Sequence, residues 1–137
     1  MDSLQSSDPL HQRFTELRNA LLKLHKTLLD SERDAYENDI EKIHTSGQFL
    51  GLVMGDPWFA WLRELSQLIV VIDETQDSKK QPPTAQDADR LVAEAKSLLT
   101  PEENGVGFAQ RYDQAMQRDP GVFIAHCQTI KLLGRIG

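Results

Sequence analysis

The sequence predicts an all-α protein, an up-and-down helical bundle of four or more helices with no sheet. Three observations carry that prediction. Leu10, Phe14, Leu17, Leu21, Leu24 and Leu28 form an apolar seam at alternating spacings of four and three, as in antiparallel helix pairs. An Asp-Pro pair occurs three times, at Asp8-Pro9, Asp56-Pro57 and Asp119-Pro120. Each sets a side-chain acceptor before a residue whose fixed φ suits a first helical turn. The β-branched run from Ile69 to Ile72 sits inside an unbroken helical register and has no partner strand elsewhere.

The first helix starts after Asp8 and meets no Gly or Pro between Leu10 and Thr45. It can run to about Ala35 or Ile43, with a break near Asn38-Asp39. Phe49, Leu50, Leu52, Val53 and Met54 make a compact apolar helix that Gly55 ends as a C′ residue. The stretch Asp56 to Glu74, DPWFAWLRELSQLIVVIDE, reads as the central helix of the bundle. Trp58, Leu62, Leu65, Ile69 and Ile72 are its core face. Asp77 to Pro83 reads as an exposed loop. Thr84 caps a further helix with Leu91, Val92, Ala95, Leu98 and Leu99 inward. Thr100-Pro101-Glu102-Glu103 has a capping-box layout, which Asn104 to Gly107 aborts, so the next helix begins near Phe108. Phe108, Tyr112, Ala115 and Met116 are its core candidates. The last helix opens at Asp119-Pro120 and carries Val122, Phe123, His126, Cys127, Ile130 and Leu133.

With 137 residues, one domain able to bury a real core is the expectation, here residues 8–137, with residues 1–7 disordered. Composition is that of an ordinary soluble protein, 39% hydrophobic and 26% charged. A net charge of −6 recommends neither nucleic acid nor an anionic membrane as partner. The first residues show no basic segment followed by an apolar core, and the longest apolar run is too short to span a membrane. A cytoplasmic location follows as the expectation. Cys127, the single cysteine, excludes an internal disulfide and every multi-cysteine metal site. It reads as a buried, inert thiol.

Chemistry is sought where the helical register turns an ionisable group inward. At about 100° per residue, Glu32 falls on the Leu21–Leu28 face, with His25 and Tyr36 at its edge. Ser66 and Asp73 flank the central stripe, Arg63 points further outward, and His126 lies beside Phe123 and Ile130. His25, Glu32, Asp73 and His126 can converge on the interior, with Tyr36 and Arg63 nearby, as a small-molecule or metal-binding site. Against this stands the commoner fate of an inward carboxylate, pairing with an arginine.

Motifs weaken the chemical readings. Glu41-x-x-His44 is half of a di-iron signature with no second copy. Paired histidines, paired cysteines, a phosphate-binding glycine loop and a nucleophile elbow are missing from the sequence, so no metal, cofactor or catalytic residue is predicted. Trp58, Phe59 and Trp61 exceed what one narrow seam can hide. Core packing is the ordinary reading of these aromatics; the sharper one is that Phe59 and Trp61 form part of an exposed patch for a partner helix or a second copy.

The residues Asp56 to Arg63, Leu65-Ser66, Leu68-Ile69 and Ile72 to Glu74 resemble a signature of small all-helical bacterial proteins. Leu24-His25-Lys26, Leu28 to Asp30, Glu32-Arg33 and Tyr36-Glu37 resemble its upstream companion. The resemblance spans about half the chain and implies a helical fold, with no activity, cofactor or catalytic residue attached. The function expected is that of a non-enzymatic bundle acting through protein contacts, as a homo-oligomer or with a partner helix. The alternative is a small-molecule or metal-binding bundle built on the inward His, Glu and Asp.

Overall fold

The computed structural model describes residues 8–137, so the expected disorder of residues 1–7 lies outside it. The described residues form six α-helices and one 3₁₀ helix, with no strand or sheet among them: the fold is an all-α bundle. The longest helix, α1 (Pro9–Asp39), begins where Asp8 accepts a bond from the Leu10 amide, and Ile40 N–H closes it on the Tyr36 carbonyl. Its seam is buried as the spacing predicts: Phe14, Leu17, Leu21, Leu24 and Leu28 point inward, then Ser31, Glu32 and Tyr36.

Thr45 caps α2 (Ser46–Gly55) through the Gln48 amide. Gly55 is its last helical residue and not a left-handed cap; among the described residues only Gly107 has a positive φ. The expected single central helix is divided, into a 3₁₀ helix (Pro57–Leu62) and α3 (Arg63–Asp77). Asp56 caps the 3₁₀ helix through the Trp58 amide. A tight entry turn is a common way to start an α-helix, and here it fans three aromatic side chains toward different neighbours.

A loop leads to α4 (Ala85–Leu98), where Thr84 and Asp87 bond each other's backbone amides in a reciprocal capping box. The second box expected at Thr100 does not form. Its hydroxyl instead donates to the Lys96 carbonyl at the end of α4, and the Glu102 amide goes to Ala109. Helix α5 (Phe108–Arg118) starts after Gly107, and α6 (Pro120–Ile136) after Asp119, which accepts from the Gly121 amide.

The hub of the bundle is α1, not the Asp56–Glu74 stretch. It packs most extensively on α6 and then α3, and also meets α4, α5 and the 3₁₀ helix. The main core joins the seam of α1 to Leu65 and Ile72 of α3, Leu91 and Ala95 of α4, Tyr112 of α5 and Leu133 of α6. A smaller core gathers Tyr36, Ile43 and Phe59 beneath Phe49, Leu52 and Val53 of α2.

In α6 the buried row is Val122, Ala125, Thr129, Leu133 and Ile136, while Phe123, Cys127 and Ile130 face solvent. The expected inert, buried thiol is thus an exposed one. The narrow Ala125 and Thr129 lie beside Ala20 and Leu24 of α1, which lets two backbones approach closely. Thr129 returns its hydroxyl to the Ala125 carbonyl, so its burial strands no donor.

Candidate functional site

Glu32 is the one buried carboxylate among the described residues. Trp61 donates its indole N–H to Oε1 at 2.7 Å, and Arg118 donates to Oε2 at 3.1 Å. Arg118 also reaches the Ser31 hydroxyl at 3.1 Å, and an Arg111 guanidinium nitrogen stands 4.0 Å from Glu32. Three elements thus meet at one charge: α1 supplies it, the 3₁₀ helix gives a neutral donor, and α5 gives two partly exposed cations. Both carboxylate oxygens are occupied by these donors. The group ties α1 to the 3₁₀ helix and to α5.

The other three predicted members of the cluster find separate partners. The His25 Nε2 and Ser66 hydroxyl are 2.7 Å apart, between α1 and α3. Asp73 pairs with Arg18 at a half-exposed position on the same two helices. His126 Nδ1 lies 2.6 Å from the Tyr112 hydroxyl, between α6 and α5. No group of three or more His, Cys, Asp or Glu residues among those described is arranged to hold a metal ion. The expected convergence of His25, Glu32, Asp73 and His126 therefore does not occur: register placed each on an inner face, but different helices face each of them.

Burial depresses the pKa of His25 and of His126, so both imidazoles are held neutral. Burial, with the Cys127 sulfur nearby, raises the Tyr112 phenol well above its ordinary value. Tyr112 therefore keeps its proton, and its hydroxyl shares one hydrogen bond with His126 Nδ1.

The His25–Ser66 pair opens on a shallow pocket of about 260 Å³, lined also by Val53, Met54, Phe59, Leu62 and Arg63. A hydroxyl within reach of a neutral imidazole is the beginning of a nucleophile–base pair. Two things needed for acyl transfer are missing around it. Among the described residues no carboxylate hydrogen-bonds His25, and Ser66 sits mid-helix in α3, where neighbouring amides are spent on the helix. A larger pocket of about 580 Å³ lies between the start of α1 and the loop after α3. It is lined by Asp8, His11 and Gln76 among others and includes none of the six predicted binding residues.

The predicted interface at Phe59 and Trp61 is also corrected. Phe59 is 2% exposed and Trp61 8%. Cover comes from the chain itself: Phe49 of α2 meets Phe59 edge-on at 5.8 Å between centroids, and Phe108 of α5 meets Trp61 at 5.1 Å. Tyr36, buried in the same small core, packs edge-on against Trp58 at 5.7 Å and beside Phe59. The surplus of aromatics is divided between two cores, which a single helical seam could not do.

Uncovered apolar surface lies elsewhere. On α6, Phe123 is 54% exposed, Ile124 56% and Ile130 37%, with exposed Cys127 among them. On α2, Leu50 and Met54 stand out beside Gly47, Gly51 and Gly55, at each of which an added Cβ would meet nothing within 4 Å. Sequence reasoning missed these faces, and also missed Arg111, Arg118 and Tyr112 as partners of the inward polar groups. One signal was readable: Arg111 and Arg118 are seven apart, hence on one side of α5 and on the flank of its Phe108–Tyr112–Ala115 row. Among the described residues, no helix is long and apolar enough to cross a membrane. No family model, no curated protein and no solved structure matches the chain.

Proposed function

We propose that this chain is a non-enzymatic helical bundle that acts through protein contacts, as a homo-oligomer or with a partner helix, and that α6 supplies the contact. The observation that carries this reading is the uncovered row Phe123, Ile124, Cys127 and Ile130. Clustered apolar side chains on the outside of a small protein are usually a contact surface. Glu32, His25 and His126 each have a partner of their own within the fold, which leaves little for chemistry. A cytoplasmic setting accompanies this reading, because an exposed single thiol stays reduced there.

The test compares the wild-type chain with a double variant, Phe123→Ser and Ile124→Ser. Sedimentation is expected to give the wild type a mass above that of a single chain, or a cell extract is expected to yield a protein retained by it. Either result must be lost in the double variant while its circular dichroism is unchanged. A wild type that sediments as one chain and retains nothing that the variant does not retain sinks the reading.

A further inference from the structure

We propose that the pocket at His25 and Ser66 binds a small monocarboxylate with a short apolar body, its charge held by Arg63. The site is separate from the α6 face and does not depend on the protein-contact reading. Four elements build it. His25 comes from α1, Arg63 and Ser66 from α3, Phe59 and Leu62 from the 3₁₀ helix, and Val53 and Met54 from α2. Its existence follows from the bend at Gly55-Asp56-Pro57, which turns the chain sharply between α2 and the 3₁₀ helix. The chief packing of α2 is on the 3₁₀ helix, so its end stands off from α1 and α3. The space left between them is about 260 Å³, just below the range of about 300–1,000 Å³ usual for drug-sized ligands.

The sign of the ligand comes from the lining. The chain carries a net charge of −6, yet this pocket holds a guanidinium and no carboxylate. Arg63 makes no ion pair among the described residues. Carboxylates near it in the sequence or on facing elements are turned elsewhere: Asp56 caps the 3₁₀ helix and Asp30 pairs with Lys26. Glu64, next in the chain, projects about 100° away around α3. Burial keeps the imidazole of His25 neutral, so Arg63 is the charge of the site. A guanidinium meets a carboxylate through two parallel hydrogen bonds, a match that suits one planar anion.

The hydroxyl beside it can add a donor. Ser66 Oγ lies 2.7 Å from His25 Nε2 and 3.3 Å from the Leu62 carbonyl. When Nε2 carries the imidazole proton it donates to Oγ, and the hydroxyl proton can turn from Leu62 to a ligand oxygen. The rest of the lining is apolar and sets the body of the ligand. Phe59 and Leu62 are buried, while Met54 is 70% exposed at the rim. An unbranched thioether in that position can fold over a short chain or ring and take it out of water. A strongly hydrated polyanion finds one cation here and an apolar wall, so a single charge with an apolar body is the better fit.

The experiment titrates hexanoate into the isotope-labelled full chain and follows the backbone amide signals by NMR. Saturable shifts are expected at Val53, Met54, Arg63 and Ser66, with a dissociation constant of about 1 mM or below. Acetate has the charge without the body and hexanol the body without the charge. Each should bind at least about tenfold more weakly than hexanoate. Arg63→Gln removes an exposed side chain that has no ion-pair partner to strand. It should weaken hexanoate at least about tenfold and leave the unfolding midpoint unchanged, and Arg63→Lys should recover part of the loss. Phe123→Ser with Ile124→Ser should leave hexanoate binding intact, so this site and the α6 contact are read separately. Three results each overturn the proposal: no saturable shifts at these residues, equal binding after Arg63→Gln, or hexanol binding as well as hexanoate.

Discussion

Glu32 shows what one inward charge does in a small bundle. Its two oxygens satisfy the Trp61 indole and the Arg118 guanidinium, and through them tie α1 to the 3₁₀ helix and α5. Removing it does not strand Arg118 or Arg111, since both are more than a third exposed and can turn to water. The Trp61 N–H is different, because the indole is buried. Glu32→Ala is therefore expected to cost about 2–4 kcal/mol, from the unpaired donor and the space left behind. Glu32→Gln keeps an acceptor for the indole and should cost about 1 kcal/mol. Urea unfolding of the two variants checks this, and equal losses would show that the Trp61 bond contributes nothing. The inward placement of Glu32 was legible in the sequence, because its position follows from spacing within one helix. Its partners were not, because helical register names a face and never the helix opposite. The same limit scattered His25, Asp73 and His126 to Ser66, Arg18 and Tyr112 when the sequence suggested a single meeting point.

Among the elements, α1 was the most legible and α6 the least. Six regularly spaced large side chains admit one buried face on α1. In α6 several large residues point outward and the narrow Ala125 and Thr129 point inward, so a ranking by hydrophobicity picks the wrong side. The division of Pro57–Leu62 from Arg63–Asp77 was equally hidden, since both halves keep helical spacing. Helix α2 makes a separate case. It has no buried residue and three glycines in ten positions, so it holds its place mainly through Phe49, Leu52 and Val53 on the small core. Gly51 is mid-helix with open space where a Cβ would go. Gly51→Ala should then stabilise the protein by about 0.5–1 kcal/mol, mostly by restricting the unfolded chain. A shift of the denaturant midpoint to higher concentration at constant slope is the expected result. A destabilised Gly51→Ala chain would mean that something does pack against that face.

At the scale of the molecule, the two part-buried histidine pairs couple folding to pH. His25 joins α1 to α3 and His126 joins α6 to α5, so each imidazole sits across a helix–helix contact. Burial lowers both pKa values in the folded state, while in the unfolded chain they return to about 6.5. As pH falls past that value the unfolded chain takes up protons that the folded chain resists. Stability is therefore full above about pH 6.5 and declines as pH drops toward the folded-state values. Two carboxylates follow the same direction lower down. Bonds from the Ile43 and Thr84 amides depress Glu37 and Asp87, so their contribution fades only in the acid range. Unfolding midpoints measured between about pH 7.5 and 5.5 should accordingly fall. His126→Gln should flatten part of that slope and His25→Gln another part, each keeping a polar atom for Tyr112 or Ser66. The two substitutions should add, because no hydrogen bond connects the pairs. A wild-type midpoint that does not move over this range would show that neither imidazole is held neutral by the fold.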